Sequence, residues 1–358
     1  MEDEQVNTSQ HFYWLDLLRF IAAFIVFAGH YRGAFFVEYS LLPEKNHNIF
    51  VQLFYFLTRI GHEAVIVFFV LSGFFVLGMG IKRCLLGSYD SYNYVVDRTV
   101  RIALPLVASL LFLVAKNVIC GFPTNWWVIF GNLFSLQGIL CEPAVGPFWS
   151  LSYEVWFYVI FGVTATLIVR KNNRLTKDIL MVLLLISFLC FTKLSVHFLL
   201  IWVLGGMAYL TIPKKGTKIM LWGSLLILII LIVFSQVTSG SRAFDYGFDI
   251  SRDVLDMLIG AVCCVFVQQL TLFPPMTKWG LVINTVGTKM AVFSYTLYLS
   301  HMILVDLLEK VGFEKSTEIG ISSVFMYIVE LAIGLVVSYL LYLMFEMHTS
   351  KVKSFLKK

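Results

Sequence analysis

The sequence predicts an all-α polytopic membrane protein of about ten transmembrane helices, with the N- and C-termini in the cytoplasm. Three observations carry this. Of its 358 residues, 59% are hydrophobic and 14% charged, with a mean hydropathy of +0.84, a balance foreign to soluble domains. Apolar runs of about twenty residues recur along the chain, the length a helix needs to cross a bilayer. None of them shows the period-two alternation of a transmembrane barrel.

The runs fall near 13–36, 60–80, 99–119, 148–169, 178–192, 195–212, 218–236, 253–271, 287–308 and 320–346. The stretch Asn125–Leu140 is apolar but short, and Pro123, Glu142, Pro143 and Pro147 flank it. It reads as interfacial or re-entrant. Glu2, Asp3 and Glu4 replace the basic region of a cleavable signal, so the first run is expected to stay as a span. With ten spans and the N-terminus inside, seventeen Lys and Arg fall in cytoplasmic segments and nine in outer ones. That asymmetry is the positive-inside pattern. The largest outer excursions are Glu38–Asn48 and Ser235–Asp253. No repeat or linker divides the chain, so one domain over residues 1–358 is expected, with no appended soluble domain.

The net charge of +5 follows from loop topology and implies no nucleic-acid partner. The six cysteines have no metal-ligand spacing; Cys263 and Cys264 read as small hydrophobes. No His-x-x-x-His pattern occurs, so no metal site is expected.

Ionisable groups inside the spans mark a functional site by default. The first span carries Arg19 and His30. Eleven positions apart, they differ by about 20° in azimuth and are separated by roughly 16 Å along a helix. One stripe thus bears a cation low in the membrane and a base high in it. Asp16 can pair with Arg19. Arg98 and Arg101 begin the third span one turn apart, and guanidinium forks suit phosphate; anchoring at the cytoplasmic boundary accounts equally well for their position. On the outer side His30, His62, Glu63, Glu154, His301 and Glu330 lie at similar depths on five helices, enough for a general base and its orienting acid. Each alone could serve as an interhelical hydrogen bond. Ser72-Gly73, in an otherwise bulky second span, lets backbones approach closely or the helix kink around a ligand. Ser72 lacks the Gly-x-Ser-x-Gly elbow of a nucleophile.

Taken together, these segments resemble the acyltransferase-3 family of integral membrane proteins, which includes bacterial O-antigen and exopolysaccharide O-acetyltransferases. The resemblance lies in Arg19 to His30, in Phe68-Phe-Val-Leu-Ser-Gly-Phe-Phe, in Arg98-Thr-Val-Arg101 with Ile102 and Pro105, in Phe148-Trp-Ser-Leu-Ser-Tyr-Glu-Val-Trp-Phe-Tyr, and in Phe293-Ser-Tyr-Thr-Leu-Tyr-Leu-Ser-His301. The five run in the family's order. It departs from the family's Glu-x-Pro ending: Glu346-Met-His348 has no proline.

The resemblance implies an O-acyltransferase of the bacterial inner membrane. It would carry an acyl group, usually acetyl, from cytoplasmic acyl-CoA to a sugar hydroxyl of a surface glycan or its lipid-linked precursor. His30 would be the general base, with Glu154 or His301 orienting it or holding the sugar. Arg19, Arg98 and Arg101 would bind the donor's phosphates, with Ser72 and Gly73 beside them. Glu63, Tyr298 and Glu330 are acceptor-side candidates. Acetyl-CoA is a co-substrate and no permanently bound cofactor is expected; the partners are acyl-CoA, the glycan acceptor and the lipid bilayer. A rival reading, a proton-coupled sugar or lipid-linked-sugar transporter, would use the same His and Glu residues as a relay. It calls for inverted repeats with broken spans in matching halves, which the sequence does not show.

Overall fold

The computed structural model describes residues 12, 14–170, 173–238 and 251–357. Among them the chain forms α1 (Leu15–Phe35), α2 (Ile49–Leu57), α3 (Gly61–Ser72), a π-helical turn (Gly73–Gly78), α4 (Met79–Leu85), α5 (Ser91–Cys120), α6 (Trp126–Leu133) and α7 (Trp149–Val169). Then come α8 (Arg174–Cys190), α9 (Val196–Leu210), α10 (Lys218–Thr238), α11 (Arg252–Leu270), α12 (Lys278–Ala291), α13 (Ser294–Lys310), α14 (Ile321–Met344) and α15 (Thr349–Leu356). Several starts are fixed by caps. The side chains of Asn48, Asp90, Asn125, Asn173 and Thr277 accept backbone N–H bonds at the heads of α2, α5, α6, α8 and α12. They satisfy amides a helix leaves orphaned. α5 ends at Gly121, whose φ of 76° is the left-handed stop only glycine takes readily.

Seven helical stretches are long and apolar enough to cross a membrane: Leu15–Phe35, Ile49–Leu85, Ser91–Cys120, Gly146–Val169, Lys218–Thr238, Arg252–Leu270 and Ile321–Leu356. The expected fifth and sixth spans appear as α8 and α9, of 17 and 15 residues. At about 1.5 Å per residue they reach roughly 26 and 23 Å, short of a hydrocarbon core about 30 Å thick. The expected ninth span is broken. α12 and α13 meet at 58° and make an eighth crossing only if taken together. At the break the Ser294 hydroxyl donates to the Ala291 carbonyl at 2.8 Å, taking up a carbonyl released at the end of α12. Val292 and Phe293 stand there rather than Gly or Pro, so the apolar pattern runs through unbroken. The stretch after Asn125 forms only the eight-residue α6, with Trp126 and Trp127 exposed, where amphipathic rings suit an interface.

α1 sits at the centre. Leu15, Ala22 and Val26 enter one apolar cluster with α3 and α7, while Ala23, Phe27, Tyr31 and Phe35 enter another with α13 and α14. A helix apolar around most of its girth is buried on several sides. α9 crosses the π turn at backbone contact. A Cβ on Gly73 would lie 1.9 Å from the Trp202 carbonyl oxygen, and one on Gly205 would lie 2.3 Å from that of Val70. Small residues are what permit such an approach between membrane helices. The Ser-Gly pair of the second span therefore marks a helix contact and a π bulge together.

Candidate active site

A cavity of about 440 Å³ opens among the N-terminal turns of α1 and α5, the middle of α3, α7, the α12–α13 break and the start of α15. It gathers Arg19, Arg98 and Arg101 into one place, with Ser72, Glu154 and Tyr298 on its walls. One-turn spacing puts both α5 arginines on one face. Arg19 pairs with Asp16 at 3.1 Å and lies over the Phe75 ring, 5.4 Å from its centroid. The Arg98 guanidinium sits 5.9 and 5.8 Å from the ring centroids of Tyr94 and Tyr158. Among the described residues neither Arg98 nor Arg101 has a carboxylate within ion-pair distance. The Tyr158 hydroxyl donates to Glu154 Oε1 and lies 3.1 Å from Ser72 Oγ, which accepts from Trp202 Nε1 at 3.2 Å.

Three buried polar atoms lining this cavity have no hydrogen-bond partner: Arg98 Nε, Thr288 Oγ1 and Tyr295 Oη. Leaving a buried donor or acceptor unmade costs about 1–3 kcal/mol, so these three mark points on the wall where water or a polar ligand would be bonded. Glu346 also lines the cavity, its carboxylate accepting from Thr296 Oγ1 at 2.5 Å. Sequence reasoning did not select Tyr158, Thr288, Tyr295 or Glu346. Tyr158 lies one turn after Glu154 on the same face; for Thr288 and Glu346 the chain separation hides the neighbourhood.

His30 and His301 form a pair beyond the cavity. His30 Nδ1 is 2.8 Å from His301 Nε2, with the rings 14° from parallel. His301 Nδ1 lies 3.0 Å from the Leu297 carbonyl oxygen. A carbonyl only accepts, so His301 Nδ1 carries the proton and its Nε2 is the acceptor. His30 Nδ1–H must then be the donor, which leaves His30 Nε2 as a free lone pair. His301 is buried and His30 exposed. Tyr31 Oη anchors the pair by donating to the His301 carbonyl at 3.1 Å.

Tyr298 joins the two regions. It lines the cavity, its ring packs 6.2 Å from that of His301 and 5.6 Å from that of Phe68, and its hydroxyl donates to the Pro147 carbonyl at 3.1 Å beside Ser150 Oγ at 2.7 Å. The other candidates lie apart. Glu154 belongs to the arginine cavity and makes no hydrogen bond to either histidine. Gly73 is packed on the Trp202 backbone rather than on the cavity. Glu63 is buried against Arg252, Ser235 and Gln236, next to a separate pair of His62 with Asp256 at 2.7 Å. Glu330 is buried on α14 with Oε2 unpartnered, within electrostatic reach of Tyr31 and Tyr327. Among the described residues no three His, Cys, Asp or Glu are arranged to hold a metal ion.

A family model described as an acyltransferase domain matches residues 12–343, nearly the whole chain. The chain belongs to the acyltransferase-3 family. No curated protein and no solved structure matches it at a significant level. As an acyltransferase-3 protein it is a multi-pass membrane acyltransferase. The matched region holds both histidines and all three arginines, while Glu346 and α15 lie just beyond it.

Proposed function

We propose that this acyltransferase-3 protein transfers an acyl group, in the simplest case acetyl, from acyl-CoA to a sugar hydroxyl of a surface glycan or its lipid-linked precursor. The donor's phosphates meet Arg19, Arg98 and Arg101, and its thioester arm runs along α1 toward Tyr298. His30 Nε2 takes the proton of the sugar hydroxyl as that oxygen attacks the thioester carbonyl. The tetrahedral carbon then expels the thiolate, the C–S bond breaks, and the imidazolium returns the proton to sulfur. The products are the sugar ester and free thiol. His301 positions the base and fixes its tautomer.

One observation carries the reading: an unsatisfied arginine cavity and an imidazole with a free lone pair share one helix and are bridged by Tyr298. Counting the short α8 and α9 and the bent α12–α13 pair as crossings gives ten, and the excess of Lys and Arg then favours both termini in the cytoplasm; a bacterial inner membrane is the setting the family resemblance implies. The arginines then face the compartment that holds acyl-CoA, while His30 faces the other leaflet. The decisive experiment is reconstitution in liposomes with acetyl-CoA outside the arginine end and candidate glycans on the other side. Acceptor-dependent release of free thiol, abolished in His30→Ala, supports the proposal. Sugar uptake without thioester consumption would establish the carrier reading instead.

A further inference from the structure

A second polar cluster lies at the head of α3, apart from the arginines. His62 Nε2 is 2.7 Å from Asp256 Oδ2 on α11, a carboxylate that is 1% exposed. Arg252 Nε at 3.3 Å and His197 Nε2 at 3.5 Å hold the same carboxylate, and Arg252 also reaches Glu63 at 3.2 Å. A carboxylate accepts, so His62 donates through Nε2, and that bond ties α3 to α11. It leaves Nδ1 over: among the described residues no hydrogen bond uses it, and it is not buried. Trp149, at the head of α7, stands beside His62 with the two rings 12° from parallel and their centroids 6.4 Å apart. Phe198 packs against both rings, and Phe69 and Tyr153 against the indole. This backing fixes the pair, while both side chains keep part of their surface open. The indole Nε1 also makes no hydrogen bond among the described residues and is not buried.

The pair continues the cavity wall. His62, Val65 and Phe69 share one face of α3 by their i, i+3, i+7 spacing, and Val65 and Phe69 line the cavity. Ser150, next to Trp149 in the chain, lines it too and meets Tyr298 Oη at 2.7 Å, the residue packed on His301. Arg19 lies over Phe75, thirteen residues beyond His62 and thus roughly 20 Å away along the helix. The pair therefore stands past the end of the cavity that is remote from the arginines. Flat apolar ring faces with two open polar edges are complementary to a sugar ring. Its C–H face lies on the aromatic surface, and its hydroxyls, each a donor and an acceptor, meet an imidazole nitrogen and an indole N–H. Resting on the acyl-transfer reading above, we infer that Trp149 and His62 form the seat of a pyranose ring of the acceptor, with Asp256 holding the imidazole in place. The seat selects a ringed sugar over an open-chain polyol bearing the same hydroxyls, because only the ring offers a flat C–H face.

The test is saturation-transfer NMR on the full-length protein in nanodiscs. The probes are the methyl pyranosides of glucose, galactose, mannose and N-acetylglucosamine, with glucitol as the open-chain control. At least one pyranoside should receive saturation, strongest on the C–H protons of one ring face, and glucitol should receive little. Trp149→Leu and His62→Leu should each weaken that pyranoside's binding by about fivefold or more, the scale of one lost hydrogen bond. Trp149→Phe, which keeps a flat face, should recover part of the loss. A thermal melt shows which variants are folded, and if Trp149→Leu is not, Trp149→Phe and His62→Leu carry the test. No pyranoside bound by wild type, equal transfer to glucitol, or binding untouched in the folded variants overturns the inference. Thiol release from acetyl-CoA in the presence of the bound pyranoside checks the acyl-transfer reading separately. A sugar seated at Trp149 without thiol release would keep the seat and sink that reading.

Discussion

His30 Nδ1 lies 2.8 Å from His301 Nε2, and His301 is itself held at 3.0 Å by the Leu297 carbonyl. The direction of this chain is dictated by its last acceptor. A backbone oxygen at one end polarises two imidazoles in sequence and leaves one lone pair at the other.

Removing the base should stop the reaction. His30→Ala is expected to lose about 10²–10⁴-fold in kcat, the usual worth of general-base help, with the melting temperature lowered by no more than the loss of one hydrogen bond to buried His301, about 1–3 kcal/mol. Acceptor-dependent thiol release gives the rate and a detergent melt gives the stability. Unchanged turnover in a folded His30→Ala protein sinks the assignment.

His301 acts through its neighbour, and its variants should separate accordingly. His301→Gln keeps an oxygen that accepts from His30 Nδ1–H, whereas His301→Ala keeps nothing. The alanine variant should fall by about tenfold or more, in line with a lost buried hydrogen bond of 1–3 kcal/mol, and the glutamine variant should recover part of the loss. The pH–rate profile should move in the alanine variant, since the environment of His30 changes. Equal activities for both would show that only packing matters there.

The arginine cavity predicts an effect on donor affinity. Arg101→Ala removes a guanidinium that makes no direct ion pair among the described residues, although the Glu154 and Glu346 carboxylates of the same cavity lie within its electrostatic reach. The KM for acetyl-CoA should rise by about tenfold, the scale of one charge-assisted hydrogen bond of 1.5–3 kcal/mol, and should rise further with salt in wild type. A KM that ignores Arg101 would place the donor elsewhere.

The α3–α9 crossing predicts a stability effect. Gly73→Ala places a methyl 1.9 Å from the Trp202 carbonyl, where overpacking costs about 1–3 kcal/mol. The variant should melt several degrees lower, or fail to accumulate. Gly33→Ala, where a Cβ meets nothing within 4 Å, is the control.

The sequence made the class of fold and the core of the site readable because both rest on local periodicity. Arg19 and His30 share a stripe by helix geometry alone, and Arg98 and Arg101 share a face by one-turn spacing. What periodicity does not carry is distance between helices. Glu63 and Glu154 sit at depths suited to the histidines, yet α11 claims the first through Arg252 and the arginine cavity holds the second. The break after Ala291 was hidden since a serine hydroxyl, not proline, closes it. Hydropathy marks α8 and α9 as crossings, whereas their helical lengths of 17 and 15 residues depend on where caps and turns end them, which hydropathy does not carry.

The 58° corner between α12 and α13 has a geometric consequence. α12 contributes Thr288 and Ala291 to the cavity wall, while α13 carries Tyr298 and His301. A straight rod would give the cavity one stripe of side chains. Bent as it is, the pair lines the cavity from both sides of the corner, with Ser294 and Tyr295 beside Tyr298, before α13 carries the imidazole beyond it.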